Sequence, residues 1–290
     1  MPAQKPKILI QLDIDPQPSV FDGVVAVDSG IDHLFRHGGV TPPAVRDLVH
    51  GALFTRGLDE LSSTAIFIGG SNVAAAEAVL DAVKKTFFGP FKVSVLFDAN
   101  GSNTTAAAAV LAALESSGGS LEGVPAAVLA ATGPVGQRAA RLLCRLGARV
   151  SVGSRSLERA KALADSLGES TGCAVSAFAP ASADELRASL QDVKVVIAAG
   201  AAGATLLPAS LWNGLPALTT LIDLNAVPPA GIEGVEATDR KTARGNVQAW
   251  GALGVGRTKM KIHKKAIAEL FVSNDKIFDA EQVLELGHSL

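Results

Sequence analysis

The chain has 290 residues, 48% hydrophobic and 19% charged, and its 26 Lys and Arg against 28 Asp and Glu leave a formal charge of −2. That size and apolar content predict about two domains with large cores. The balanced charge gives no electrostatic ground for binding nucleic acid or an anionic membrane.

The opening run Met1-Pro-Ala-Gln-Lys-Pro-Lys-Ile-Leu-Ile10 passes straight into a strand-like segment, Lys7 to Leu12, so neither a signal peptide nor a membrane span is expected. A loop rich in Asp and Pro follows, Asp13 to Asp22, then a predicted helix over 42–51 and a strand over 64–68. Gly69-Gly70-Ser71-Asn72 turns the chain into a helix over 73–85, with Ser71 or Asn72 available as N-cap. A strand over 92–97 ends at Asp98-Ala-Asn-Gly-Ser-Asn-Thr-Thr105, and that polar run opens a long Ala-rich helix through Glu115. Gly118-Gly119-Ser120 marks a domain boundary, which gives a first domain over 1–118 and a second over 119–257. In the second, strands over 125–130, 148–153, 173–178, 193–198 and 218–223 alternate with helices, the pattern of a doubly wound, Rossmann-like parallel sheet. The Gly- and Pro-rich segment 226–256 reads as an irregular functional loop. Helix-like stretches at 258–272 and 279–287 are expected to pack back on the first domain.

The most informative stretch is Val128-Leu-Ala-Ala-Thr-Gly-Pro-Val-Gly136, followed by an apolar helix and by Arg149-Val-Ser-Val-Gly-Ser-Arg155. Strand, glycine turn, helix and second strand form the unit that binds a dinucleotide. Without side chains at Gly133 and Gly136, backbone N–H groups of the turn Thr132, Gly133, Pro134, Val135 and Gly136 can approach a pyrophosphate, and the helix opening near Val135 adds its positive dipole end. The fingerprint is A-x-G-x-x-G, because Ala131 stands where the first glycine is usual. Alanine has room there if its φ is negative. The alternative is a Gly-containing turn that binds nothing.

The tip of the next strand reads Gly153-Ser-Arg-Ser156, with no carboxylate before Glu158. An NAD site usually carries Asp or Glu there to accept from the ribose hydroxyls. Arg155 with the hydroxyls of Ser154 and Ser156 suits a 2′-phosphate instead, so NADP is the expected cofactor. Arg155 could equally be a solvated charge at a helix start.

Ligands of open α/β sheets sit beyond the carboxyl ends of the strands, here Asp13, Gly69, Asp98, Ala131, Gly153, Ala199 and Asp223. Ala199 and Gly200 are small residues suited to close approach of a cofactor. Asn225 could contact it, or could brace the turn that precedes Val227-Pro-Pro-Ala-Gly-Ile232 through its side-chain amide. Cys144 and Cys173 make no metal-ligand spacing and read as reduced core thiols of a cytoplasmic protein, and no metal is expected. The five histidines are scattered, and no nucleophile triad emerges. Hydride transfer fits that absence, since it can proceed by alignment of donor and acceptor without an obligatory protein base.

Pro18-Ser-Val-Phe-Asp22, Phe54-Thr-Arg-Gly57, Ser63-Thr-Ala-Ile-Phe-Ile-Gly-Gly70, Phe87-Phe-Gly-Pro-Phe91, Asp98-Ala-Asn-Gly-Ser-Asn-Thr-Thr105, Ala131-Thr-Gly-Pro-Val-Gly136, Asn225-Ala-Val-Pro-Pro229 and Gly251-Ala-Leu-Gly-Val-Gly256 carry a resemblance nearly end to end. Taken together they resemble the bacterial NADP-dependent methylene-tetrahydromethanopterin dehydrogenases. The resemblance implies oxidation of the methylene bridge of a reduced pterin to a methenyl cation, with NADP as hydride acceptor and NAD as a second acceptor. It also implies a pterin-binding first domain and a homo-oligomer, trimer or hexamer. Phe21, Asp98, Asn100, Asn103, Thr104 and Thr105 would line the pterin site, and Lys259, in Arg257-Thr-Lys-Met-Lys261, matches a family lysine near the substrate. Asp98 could instead cap the helix beyond it, and Phe21 could be core. Ser156 stands where a second basic residue is expected for strict NADP use. Two rival readings stay open: a methylene-tetrahydrofolate or shikimate-type dehydrogenase, and a non-catalytic NADP-binding sensor.

Overall fold

The computed structural model describes residues 5–290, and residues 1–4, the start of the run read above as lacking a targeting signal, lie outside the described residues. The chain divides into two compact units, one running up to Thr104 and resuming over Met260–Leu290, the other Thr105–Lys259. The first division falls within a helix, upstream of the Gly118-Gly119-Ser120 stretch.

The first unit opens with β1 (Ile8–Asp13), α1 (Val20–Asp28), β2 (His33–His37), α2 (Val45–Phe54), β3 (Thr64–Gly69), α3 (Val73–Thr86) and β4 (Ser94–Phe97). Helix α4 (Ser102–Ser116) leads into the second unit, which contains β5 (Pro125–Leu129), α5 (Pro134–Arg145), β6 (Arg149–Gly153), α6 (Leu157–Thr171), β7 (Ser176–Phe178) and α7 (Ala183–Leu190). It continues with β8 (Val195–Ala198), α8 (Ala209–Trp212), β9 (Thr220–Asp223), β10 (Arg240–Arg244) and β11 (Val247–Trp250). Helix α9 (Ala252–Glu269) returns the chain to the first unit, which ends with β12 (Ile277–Phe278) and α10 (Ala280–His288).

In the first unit the sheet order is β12-β4-β3-β1-β2, every pair parallel. Strand β3 is buried at every residue, as a parallel strand covered on both faces must be, and its Ile66 and Ile68 pack with Val49 and Leu53 of α2 and Val79 and Val83 of α3. The side chain of Asn72 caps α3, its Oδ1 accepting the Ala75 N–H at 3.1 Å.

The second unit has the order β10-β11-β9-β8-β5-β6-β7, parallel throughout except for the antiparallel edge strand β10. This is the doubly wound arrangement. Chain direction across the sheet reverses between β5 and β8, the switch point at whose carboxyl ends such folds bind ligands. Helix α5 buries Ala139, Ala140, Leu142 and Leu143 against the sheet side of the unit, as its apolar character predicts.

The segment 226–256 departs from the sequence reading. It is not one irregular loop, for it holds β10, β11 and the first turns of α9. Strand β10, Arg240-Lys-Thr-Ala-Arg244, is a polar, largely exposed edge with no apolar alternation to read. The Gly251-Ala-Leu-Gly-Val-Gly256 stretch opens α9 although glycine is a poor helix former. Two of its three glycines are needed for packing. A Cβ on Gly251 would collide with the carbonyl of Glu236, and one on Gly254 with that of Asp239. Those same backbones accept the otherwise orphaned helix N–H groups, Leu253 N to Ala237 O at 2.8 Å and Gly251 N to Asp239 O at 2.9 Å. Strand β2 and helix α1 are further elements that the sequence reading left unassigned. Strand β2 is a sheet edge, and its partly exposed His-Leu-Phe-Arg-His run lacks a buried-strand signature.

Candidate active site

At the carboxyl end of β5 the chain turns through Ala130, whose φ of 53° is left-handed, and enters α5 at Gly133, the N-cap residue, with Pro134 at the first helical position. Ala131 is not among the positive-φ residues. The strained conformation sits one residue earlier than the missing glycine, so alanine fits at the first fingerprint position. Gly136 does need to be glycine: a Cβ there would lie 2.7 Å from the Cα and 2.8 Å from the carbonyl oxygen of Ala131. That contact sets the first turn of α5 against the strand end, while the Gly133 N–H turns back to Ala130 O at 3.3 Å; a helix N-terminus opening from a strand end in this way accommodates a pyrophosphate. Gln137, which the sequence reading passed over, braces the turn by donating to the carbonyl of Thr132 at 2.8 Å. Thr132 and Ser154 hydroxyls stand 3.4 Å apart, joining the turn to the tip of β6.

At that tip, Gly153 carries no side chain because the ring of Phe178 lies against it, with ring carbons 2.6 Å from where its Cβ would be. The Ser154 N–H donates to the carbonyl of Phe178 at 3.1 Å. Arg155 is exposed and makes no hydrogen bond or ion pair with the described residues. Ser156 has another duty: its Oγ accepts the Arg159 N–H at 3.3 Å as N-cap of α6. The tip therefore offers one unengaged cation, Arg155, with the Ser154 hydroxyl beside it.

Ala199 and Gly200 follow β8, next to the glycine turn. The Ala199 N–H donates to Leu129 O at 3.1 Å, and the Ala199 carbonyl lies 3.9 Å from the Cβ position of Gly133. Asp223, at the end of β9, is 2% exposed and accepts the N–H groups of Asn225 and Ile232. Burial pushes its carboxyl above the ordinary carboxylate value, against the lowering effect of the backbone N–H groups of Ile232, Asn225 and Gly231. Asn225 braces the following turn, its Nδ2 donating to Pro229 O at 2.8 Å and its Oδ1 accepting the Val227 N–H at 3.0 Å.

In the first unit, Asp98, Asn103 and Thr104 come together, but as a fully buried cluster. Asp98 Oδ1 accepts the N–H groups of Asn103 at 2.9 Å and Thr104 at 3.0 Å, and its Oδ2 accepts the Thr104 hydroxyl at 2.7 Å, so it caps the start of α4. Asn103 donates to Phe97 O at 2.6 Å and to Asp279 Oδ1 at 2.9 Å. His263, read only as one of five scattered histidines, is fully buried, stacked on Phe67 and 4.0 Å from Asp98 Oδ2. Asn100 lies at the exposed turn with a φ of 53°, and Phe21 is 51% exposed on α1. Thr105 is half-buried on α4. Lys259 is half-buried on α9, and His263 is four positions further along, on the same helix face. That spacing was the available signal for His263.

Residues 20–100 match the family profile described as methylene-tetrahydromethanopterin dehydrogenase, N-terminal. The chain is 46% identical over 284 residues, 98% of its length and 99% of the relative's, to a protein of Methylorubrum extorquens named Bifunctional protein MdtA. It is 32% identical over 266 residues, 89% of its length and 90% of the relative's, to the NAD(P)-dependent methylenetetrahydromethanopterin dehydrogenase of the same organism. Among solved structures, ornithine carbamoyltransferase from Pyrococcus furiosus superposes with a TM-score of 0.58 at 12% identity, covering 93% of this chain and 84% of that one, a likeness of fold alone. With two relatives matched along nearly the whole of its length, the chain belongs to the methylene-tetrahydromethanopterin dehydrogenase family.

Proposed function

We propose that the protein oxidises the methylene bridge of methylene-tetrahydromethanopterin to the methenyl cation, with NADP as hydride acceptor, in one-carbon metabolism. The observation that carries the reading is the pairing of a dinucleotide turn with an unengaged arginine, rather than a carboxylate, at the tip of β6, in a chain of this family. NADP when bound supplies the acceptor carbon for the hydride. Every other task falls to the chain. The Thr132–Gly136 turn holds the pyrophosphate through backbone N–H groups, and Gly136 fixes its shape. Arg155 and Ser154 take the 2′-phosphate. Ala199 and Gly200 let the cofactor lie close to the strand ends.

Phe21, Asn100 and Thr105 contact the pterin, and the buried Asp98, Asn103 and Thr104 shape the turn that carries Asn100. Lys259 orients a pterin oxygen or a neighbouring carboxylate. It does not stabilise the product, since a positive charge opposes formation of a methenyl cation. A single arginine at the 2′-phosphate, with Ser156 committed to capping α6, supports NAD as a second acceptor. The protein works in the cytoplasm as a homo-oligomer, trimer or hexamer, and no helix among its described residues is long and apolar enough to cross a membrane.

The test is a spectrophotometric assay of the purified protein with methylene-tetrahydromethanopterin, methylene-tetrahydrofolate and shikimate, each against NADP and NAD. Reduction of NADP fastest with the methanopterin is expected. Faster turnover of the folate or of shikimate would transfer the assignment, and NADP binding without reduction by any of the three would make the protein a sensor.

A further inference from the structure

Asp223 ends β9 in register with Ala198 of β8, beside the switch point of the second unit's sheet. Both carboxylate oxygens are engaged by the chain that follows. Oδ1 accepts the N–H of Asn225 at 3.0 Å and Oδ2 that of Ile232 at 2.9 Å, so the intervening loop is tied to one side chain at both ends. Gly231 belongs to the same fit, because a Cβ there would stand 2.7 Å from Oδ1. Asn225 closes the loop from within through Pro229 O and the Val227 N–H. The loop walls a cavity of about 120 Å³, lined by Asp223, Asn225, Val227, Pro228, Glu236 and Gly251 among others.

Burying a carboxylate among backbone N–H groups, with no Lys or Arg paired to it among the described residues, costs stability. What a carboxylate provides there, and an amide does not, is a second acceptor. An asparagine would satisfy one N–H and turn its own NH2 toward the other. The chain thus accepts a destabilising group to specify the shape of one loop, at the carboxyl ends of the strands where this fold binds its ligands.

We propose that Asp223 is a positioning residue for hydride transfer: by fixing both ends of the Asn225–Ile232 loop it holds the wall that sets where the nicotinamide ring comes to rest. It acts through the loop and not on a reacting atom. The proposal rests on the hydride-transfer reading above.

Asp223→Asn and Asn225→Ala, made in the full chain, test it by three measurements. NADP affinity is read from quenching of Trp212 and Trp250, both of which lie in the second unit. Turnover and the primary isotope effect are read with methylene-tetrahydromethanopterin carrying deuterium on the bridge carbon. Because the pyrophosphate and 2′-phosphate contacts are untouched, the dissociation constant should stay within about threefold, while kcat falls about 10- to 100-fold, the scale of a misaligned reaction pair. The isotope effect should rise, since a poorly placed acceptor makes hydride transfer the slow step. A merely structural Asp223 would lower the folded fraction and leave the isotope effect of the surviving molecules at the wild-type value, which would overturn the proposal, as would unchanged turnover. If Asp223→Asn fails to fold, Asn225→Ala decides by the same criteria. Wild-type protein inactive on every methylene-pterin would remove the functional reading and this proposal together, whereas active wild type with unaltered variants removes only this proposal.

Discussion

Gly136 and Ala131 touch backbone to backbone, so closely that a Cβ on Gly136 would lie 2.7 Å from the Ala131 Cα. No side-chain rotation relieves that overlap, because both partners are main chain. Gly136→Ala should therefore push α5 off the end of β5, lower stability by about 1–3 kcal/mol, and weaken NADP binding at least tenfold. Thermal unfolding and a cofactor titration check it together. An alanine variant binding NADP normally would mean that the turn does not carry the pyrophosphate.

Arg155 is exposed and unengaged, so its removal should leave folding intact. A charge-assisted contact contributes about 1.5–3 kcal/mol, and Arg155→Ala should raise the Michaelis constant for NADP at least tenfold while that for NAD moves little. Added salt should act on the wild type in the same direction through screening. Equal effects on the two cofactors would place the 2′-phosphate elsewhere.

Lys259→Ala should reduce turnover about 10- to 100-fold, the range associated with loss of substrate alignment, without altering the NADP dissociation constant. Steady-state kinetics with a parallel binding titration separate the two. Unchanged turnover would take Lys259 out of the pterin site.

Burial together with the neighbouring Cys173 thiol pushes the Cys144 thiol up to about 12. Since the thiolate is the reactive form, an aromatic disulfide reagent at pH 8 should label Cys173 in the native protein and Cys144 only after unfolding. The sign for stability follows. The folded value lies above the unfolded one, so the contribution of Cys144 is complete below about 8.5, the unperturbed value, and is lost as pH rises toward about 12. Melting temperatures of wild type and Cys144→Ser should converge across that alkaline range.

Much of the cofactor half was legible in the sequence because its signals are local and redundant. An apolar strand, two glycines, a helix with Ala139, Leu142 and Leu143 on one face and a basic strand tip all point to the same unit. Hydroxyl and carboxyl groups were harder to assign, since a capping residue and a ligand-binding residue look alike in one dimension. Ser156 and Asp98 show it: the first caps α6 and the second the start of α4, and only burial and hydrogen-bond partners separate those duties from ligand contact. The stretch 226–256 was misread because Gly251 and Gly254 answer to backbones at Glu236 and Asp239, contacts that no periodicity records.

Ala130 holds a left-handed backbone with a φ of 53°, a conformation costing a side-chain-bearing residue about 1–2 kcal/mol. The chain thus keeps a small tension at the spot from which its amides are aimed, and has not discharged it by adopting glycine. Ala130→Gly is accordingly the substitution that trades rigidity of aim for a relaxed main chain: the melting temperature should hold or climb while the cofactor is gripped less firmly.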